Sequence, residues 1–148
     1  MTSKAYFTSE EWEQVLEGPP SAAMIVITSH HGGTLRETFS MAKTYAEARE
    51  EHGQSELLDE LVSAKPEIDH TRYHSPEELK EHSLTRVRGA VALVEAKATP
   101  EELAGYRKFI LTLSERVAKA HKEGDEAVSD AERSAIADIS VAVGPPAA

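Results

Sequence analysis

Two groups of side chains in this 148-residue sequence have the types and spacing for chemistry, and both would bind cations. The first is an acidic turn, Glu123-Gly124-Asp125-Glu126, followed by Asp130 and Glu132. Carboxylates in a glycine turn ahead of a helix can converge on a hard cation, because Ca²⁺ and Mg²⁺ take clustered oxygen ligands and need a backbone that bends around them. Glu123, Asp125, Asp130 and Glu132 are therefore the candidate metal ligands, and a divalent cation is the one cofactor the sequence suggests. The full EF-hand spacing is absent. The competing assignment makes Ser129 and Glu132 a capping box, sets Asp130 against the helix dipole, and leaves the rest as a solvated loop.

The second group is histidine-based. His70 and His74 have the i, i+4 spacing that zinc sites use on a helix, with Glu67 or Asp69 as a third ligand. Pro66 and Pro76 bracket the segment, which makes it a connector or a single turn. Glu67-x-x-His70 is also a diiron-bundle motif, but such bundles carry two copies on core-facing helices and only one is present. Surface imidazoles are the default reading, and the same holds for His30, His31, His52, His82 and His121. The turn His31-Gly32-Gly33-Thr34 lacks the lysine and longer glycine pattern of a phosphate loop, and Ser29 and Ser40 lack a nucleophile-elbow context. Catalysis is not expected.

Composition narrows the function classes further. Asp and Glu number 26 against 16 Lys and Arg, a net charge of -10, which argues against nucleic acid and anionic membranes as partners. The absence of cysteine removes disulfides, thiolate metal sites and cysteine nucleophiles. No apolar run approaches a membrane span and the first residues lack a signal-peptide core, so a cytoplasmic location is expected. The 21 alanines suit close helix packing better than a sheet.

Helices must position these groups, and their starts are clearly marked. Ser75-Pro76-Glu77-Glu78 and Thr99-Pro100-Glu101-Glu102 each combine a hydroxyl cap, proline at the first helical position and a glutamate that reaches back. Thr8 with Glu11, and Ser129 with Glu132, repeat the box without proline. Leu103, Tyr106, Ile110, Leu113, Val117 and Ala120 form an apolar stripe that predicts a central helix over 100 to 122, with Glu102 on another face. Leu84, Val87, Val91 and Val94 predict its predecessor over 76 to 96, and a two-residue connection predicts a hairpin between them.

The N-terminal half is less regular. A short helix over 9 to 17 is expected to stop at Gly18-Pro19-Pro20, with Phe7 and Trp12 docking it on the core. The β-branched run over 21 to 28 has no strand partner, which predicts a separate buried helix. Leu35, Phe39, Ala42 and Ala46 predict a further helix to about residue 51, and Leu57, Leu58, Leu61 and Val62 a short one ending before Pro66. The carboxylates Glu47, Glu50, Glu51, Glu56, Asp59 and Glu60 read as a solvated face. The expected fold is all-α, one bundle of six or seven helices over residues 1 to 143, with 144 to 148 a disordered tail.

Two stretches align as apolar helix, His- and Gly-containing turn, and Glu-bearing helix start: 24 to 37 and 113 to 132. A two-fold duplication of helical hairpins would produce this. The layout resembles the TerB-like tellurite-resistance family of all-helical domains, through Glu123-Gly124, Val128-Ser129-Asp130-Ala131-Glu132 and Ile136-Ala137-Asp138-Ile139. His31-Gly32 stands where the first half of that pattern has Asp-Gly. The resemblance implies a compact helical fold, no established catalytic activity, and divalent-cation binding by turn carboxylates. The expected function is thus a non-catalytic domain acting through an unidentified protein partner in a stress-response setting, with homodimerisation open. The alternative is a metalloenzyme or small-ligand binder using His and Glu.

Overall fold

The caps and apolar stripes fold into helices. A computed structural model describes residues 4–28, 34–51, 56–64, 76–122 and 130–144, and no strand occurs among them. A 3-10 turn at Lys4–Tyr6 precedes α1 (Ser9–Thr28), α2 (Thr34–Glu50), α3 (Glu56–Ser63), α4 (Pro76–Lys97), α5 (Pro100–Lys122) and α6 (Asp130–Val143). Together they make the expected all-α bundle.

Local chemistry sets the helix starts. The Thr8 amide donates to Glu11 Oε1 at 2.8 Å while the Glu11 amide donates to Thr8 Oγ1 at 3.1 Å. Thr99 and Glu102 exchange the same two bonds at 3.2 Å each. Each box satisfies two backbone donors that a helix end would otherwise strand. Prolines open α4 and α5, as predicted, while the capping residues Ser75 and Ser129 lie outside the described residues.

One expectation fails at Gly18-Pro19-Pro20. Instead of stopping there, α1 runs through both prolines to Thr28 as a single helix. Pro19 has no amide hydrogen to donate to the Val15 carbonyl four residues back, a loss that normally breaks a helix. Tyr106 of α5 replaces the missing donor, its hydroxyl bonding Val15 O at 2.7 Å in a fully buried setting. Gly18 is what lets it in, since a Cβ there would lie 2.2 Å from Tyr106 Oη and 3.0 Å from Ala90 Cβ of α4. Residues 18 to 27 are buried on every face, as suits a helix apolar all round.

Helix α1 packs most extensively on α4, while α5 touches every other helix. Val87, Ala90, Val91 and Val94 of α4 join Tyr106, Ile110, Leu113 and Val117 of α5 in the same core as Ala22 to Ile27. Arg107 of α5 reaches Glu95 of α4 at 4.0 Å. On one straight rod these residues would stand about 18 Å apart along the axis, so the chain turns back after Lys97 as the hairpin requires.

Two facial assignments also change. On α2 the core side is Met41, Thr44 and Tyr45, whereas Ala42 and Ala46 are exposed and Phe39 is 71% exposed. Both sets have helical spacing, and the choice is made by contact with α5, where Ser40 Oγ donates to the Arg116 carbonyl at 3.1 Å. Glu102, expected on an outer face, is buried because its carboxylate turns back to the Thr99 amide.

The first turn of α1 is clasped to the end of α4. Lys97 Nζ donates to Glu11 Oε1 at 2.7 Å and to the Tyr6 carbonyl at 3.0 Å, and lies 5.6 Å from the Phe7 ring centre. Phe7 is buried and meets Trp12 at 5.6 Å, so both aromatics dock on the bundle as expected. The Lys97 hydrogen bond, followed by the one from the Thr8 amide, holds the Glu11 carboxyl below its ordinary value of 4.5. A lowered pKa stabilises the folded state above that ordinary value and is lost as pH falls through the folded one. Acid titration of the emission of Trp12, the sole tryptophan, should therefore show the clasp loosening below about pH 4.5, and Glu11→Gln should remove that step. An unchanged titration in the variant would dissociate the clasp from Glu11.

Candidate functional site

Three of the six carboxylates read as a solvated face, Glu47, Glu51 and Asp59, also line a groove. Helices α2, α3 and α5 enclose an open cavity of about 330 Å³. Its floor is Ala48, Leu58, Val62 and Phe109, its polar wall includes Thr44 and Thr112, and its charged rim is Glu47, Glu51, Asp59, Lys108 and Arg116. A volume near 300 Å³ with an apolar floor and a few polar groups lies at the small end of ligand pockets.

Each wall has a local cause. Leu57 and Leu61 anchor α3 in the core, which leaves Leu58 and Asp59 of the same helix to face the cavity. Arg49 Nε donates to the Val62 carbonyl at 2.5 Å, tying the end of α2 to the end of α3. Phe109 is held by Tyr45, ring centres 5.2 Å apart and nearly perpendicular at 76°, a favourable edge contact. On the far wall Arg116 pairs with Glu47 and so bridges α5 to α2.

Gly105 lets Leu58 of α3 pack close against α5 on this lining. A glycine in a helix interior costs about 0.5–1 kcal/mol relative to alanine. At this one an added Cβ would meet only Leu58 Cδ1, at 3.3 Å.

Two buried tyrosines lie behind the α2 and α5 walls. Tyr45 Oη has no hydrogen-bond partner among the described residues, and burial pushes its pKa well above the usual tyrosine range, with Arg49 drawing it part of the way back. Burial also raises Tyr106 well above that range, with a smaller contribution from Tyr45. Both phenols therefore stay protonated and neutral across the physiological range. Neither is poised as a general base.

The acidic turn is only partly visible. Glu123 and Asp125 lie outside the described residues, as do His30, His31, His52, Glu67, Asp69, His70 and His74. Asp130 opens α6, and Glu132, in its first turn, is fully buried. Among the described residues no three metal-ligating side chains cluster. A carboxylate sunk in the bundle is poorly placed to meet an ion entering from the turn. Saturating Ca²⁺ should raise the melting temperature no more than monovalent salt at matched ionic strength, whereas a true site occupied at about 100 times its Kd would add about 2.7 kcal/mol. A Ca²⁺-specific rise that disappears in Asp125→Asn would overturn that expectation.

Sequence reasoning missed the groove. Its α5 wall, Gly105, Lys108, Phe109, Thr112 and Arg116, is a second stripe at spacings of three and four beside the core stripe. A glycine at the head of that stripe was the available signal. No family model, no curated protein and no solved structure matches the chain.

Proposed function

We propose that this chain is a non-catalytic binding domain that acts through protein contacts, with the groove between α2, α3 and α5 as its contact surface. The observation that carries the reading is the groove's construction: an apolar floor and a charged rim, with a glycine in the second turn of α5 on its lining. A partner's short segment fits it, because a cavity of about 330 Å³ has room for two or three apolar side chains while flanking polar groups meet the rim. The perturbed titratable groups described are phenols held neutral and a surface glutamate engaged by Lys97, which supports binding over acid–base catalysis. This is also the kind of role the TerB-like resemblance implies, a helical domain without established catalysis.

The test is photo-crosslinking from Glu101, which is exposed and lies one turn before Gly105 on α5. A photoreactive residue there should yield defined adducts in native extract, with partner peptides identified by mass spectrometry. Gly105→Met should abolish them, because a flexible side chain then occupies the groove without meeting backbone. Adducts indifferent to the filled groove would refute the assignment. Melting of the Gly105→Met chain checks that the loss is not unfolding.

A further inference from the structure

We infer that the groove selects a basic segment, one in which a lysine or arginine lies beside an apolar residue of the partner. The inference rests on the groove being the contact surface and adds the chemistry of its occupant. It starts from the charges on the rim. Arg116 is committed to Glu47, and Arg49 to the Val62 carbonyl, so two of the nearby cations already serve the fold. Lys108 remains on the lining, together with Glu51 and Asp59. Glu50, Glu56 and Glu60 lie on the same two helices, and the chain as a whole carries -10. A cationic segment is steered toward such a surface and an anionic one is repelled.

A second observation concerns α2 alone. Its last turn and the residue after it place Glu50 and Glu51 at the C-terminal end, where carbonyls without intrahelical donors concentrate partial negative charge. Carboxylates are disfavoured at that end and cations favoured. The Glu51 amide closes the turn on the Glu47 and Ala48 carbonyls, both at 3.2 Å, which fixes it at the groove mouth. Neither Glu50 nor Glu51 forms an ion pair with a described residue. An incoming ammonium or guanidinium would relieve carboxylate and helix end together. Leu58 and Phe109 would meanwhile receive the adjoining apolar side chain.

The experiment titrates the ¹⁵N-labelled full chain with three short peptides: one basic and apolar, one with the same apolar residues and acidic flanks, one basic with alanines in place of the apolar residues. The expected result is movement of amide resonances in residues 47 to 51, 58 to 62 and 105 to 112 by the first peptide, and at least about tenfold weaker binding of the other two. Glu51→Gln should weaken the first peptide about threefold, and added salt should weaken it progressively. Equal or tighter binding of the acidic peptide, or indifference to Glu51→Gln, would overturn the charge selection. If that happened while Gly105→Met still blocked every peptide, the groove would stand as the contact surface without its preference for base. If no peptide moved those resonances, both conclusions would fall.

Discussion

Gly18→Ala is expected to destabilise the fold by about 2–4 kcal/mol, although alanine is the better helix former. The new methyl group would sit 2.2 Å from Tyr106 Oη, so the tyrosine has to withdraw, and the hydroxyl then releases the Val15 carbonyl. A buried carbonyl left without a donor costs about 1–3 kcal/mol, and repacking against Ala90 adds to it. The mechanism is separable by a double-mutant cycle. Tyr106→Phe alone should cost about 1–3 kcal/mol by orphaning the same carbonyl, and in that background Gly18→Ala should cost at least about 1 kcal/mol less than in the native chain. Urea melts of the four proteins measure this, and strict additivity would mean that glycine and hydroxyl act independently.

Ile110→Ala should cost about 2–5 kcal/mol, the sum of lost transfer free energy and the cavity left behind. Ile110 is fully buried midway along α5, the helix that touches all the others. Collapse around the cavity is limited because Tyr106 below it is fixed by its hydrogen bond to α1 and Leu113 and Val117 above it are themselves fully buried. A fall in the urea midpoint at unchanged slope is the expected signature. A change below about 0.5 kcal/mol, the range of surface substitutions, would place Ile110 outside the core.

What could be read from sequence was whatever a few neighbouring residues decide. Thr8 with Glu11, and Thr99 with Glu102, form their boxes as spelled because each motif contains both partners. Of the predicted stripe, Tyr106, Ile110, Leu113 and Val117 are buried, because α5 meets every other helix, while Leu103 and Ala120 at its two ends are only partly buried. Gly18-Pro19-Pro20 misleads because its compensation comes from a hydroxyl on Tyr106, 91 residues beyond the Val15 carbonyl it caps. Phe39, Ala42 and Ala46 mislead because α2 offers two faces of similar character and its docking on α5 selects the other. The groove was illegible for a related reason: three helices build it, and each contributes residues that read singly as surface charge or helix filler. Of the candidate ligands, Glu132 had two assignments in the sequence, and nothing local to it foretold complete burial.

The buried second half of α1 has a consequence for how the chain is made. Ala22 to Ile27 leave the ribosome early, yet the helices that shelter them, α4 and α5, are synthesised much later, with Tyr106 emerging 91 residues after Val15. At about 5–20 residues per second the interval is roughly 5–18 s. Throughout it a run of Met24, Ile25, Val26 and Ile27 has neither its packing partners nor the donor that repairs its proline break. Such a segment is rich in β-branched residues and carries no charge, which makes it a template for intermolecular strand pairing. Until α5 is complete the nascent chain should therefore be prone to such pairing, and its yield in cells should depend on elongation rate more than its equilibrium stability would indicate.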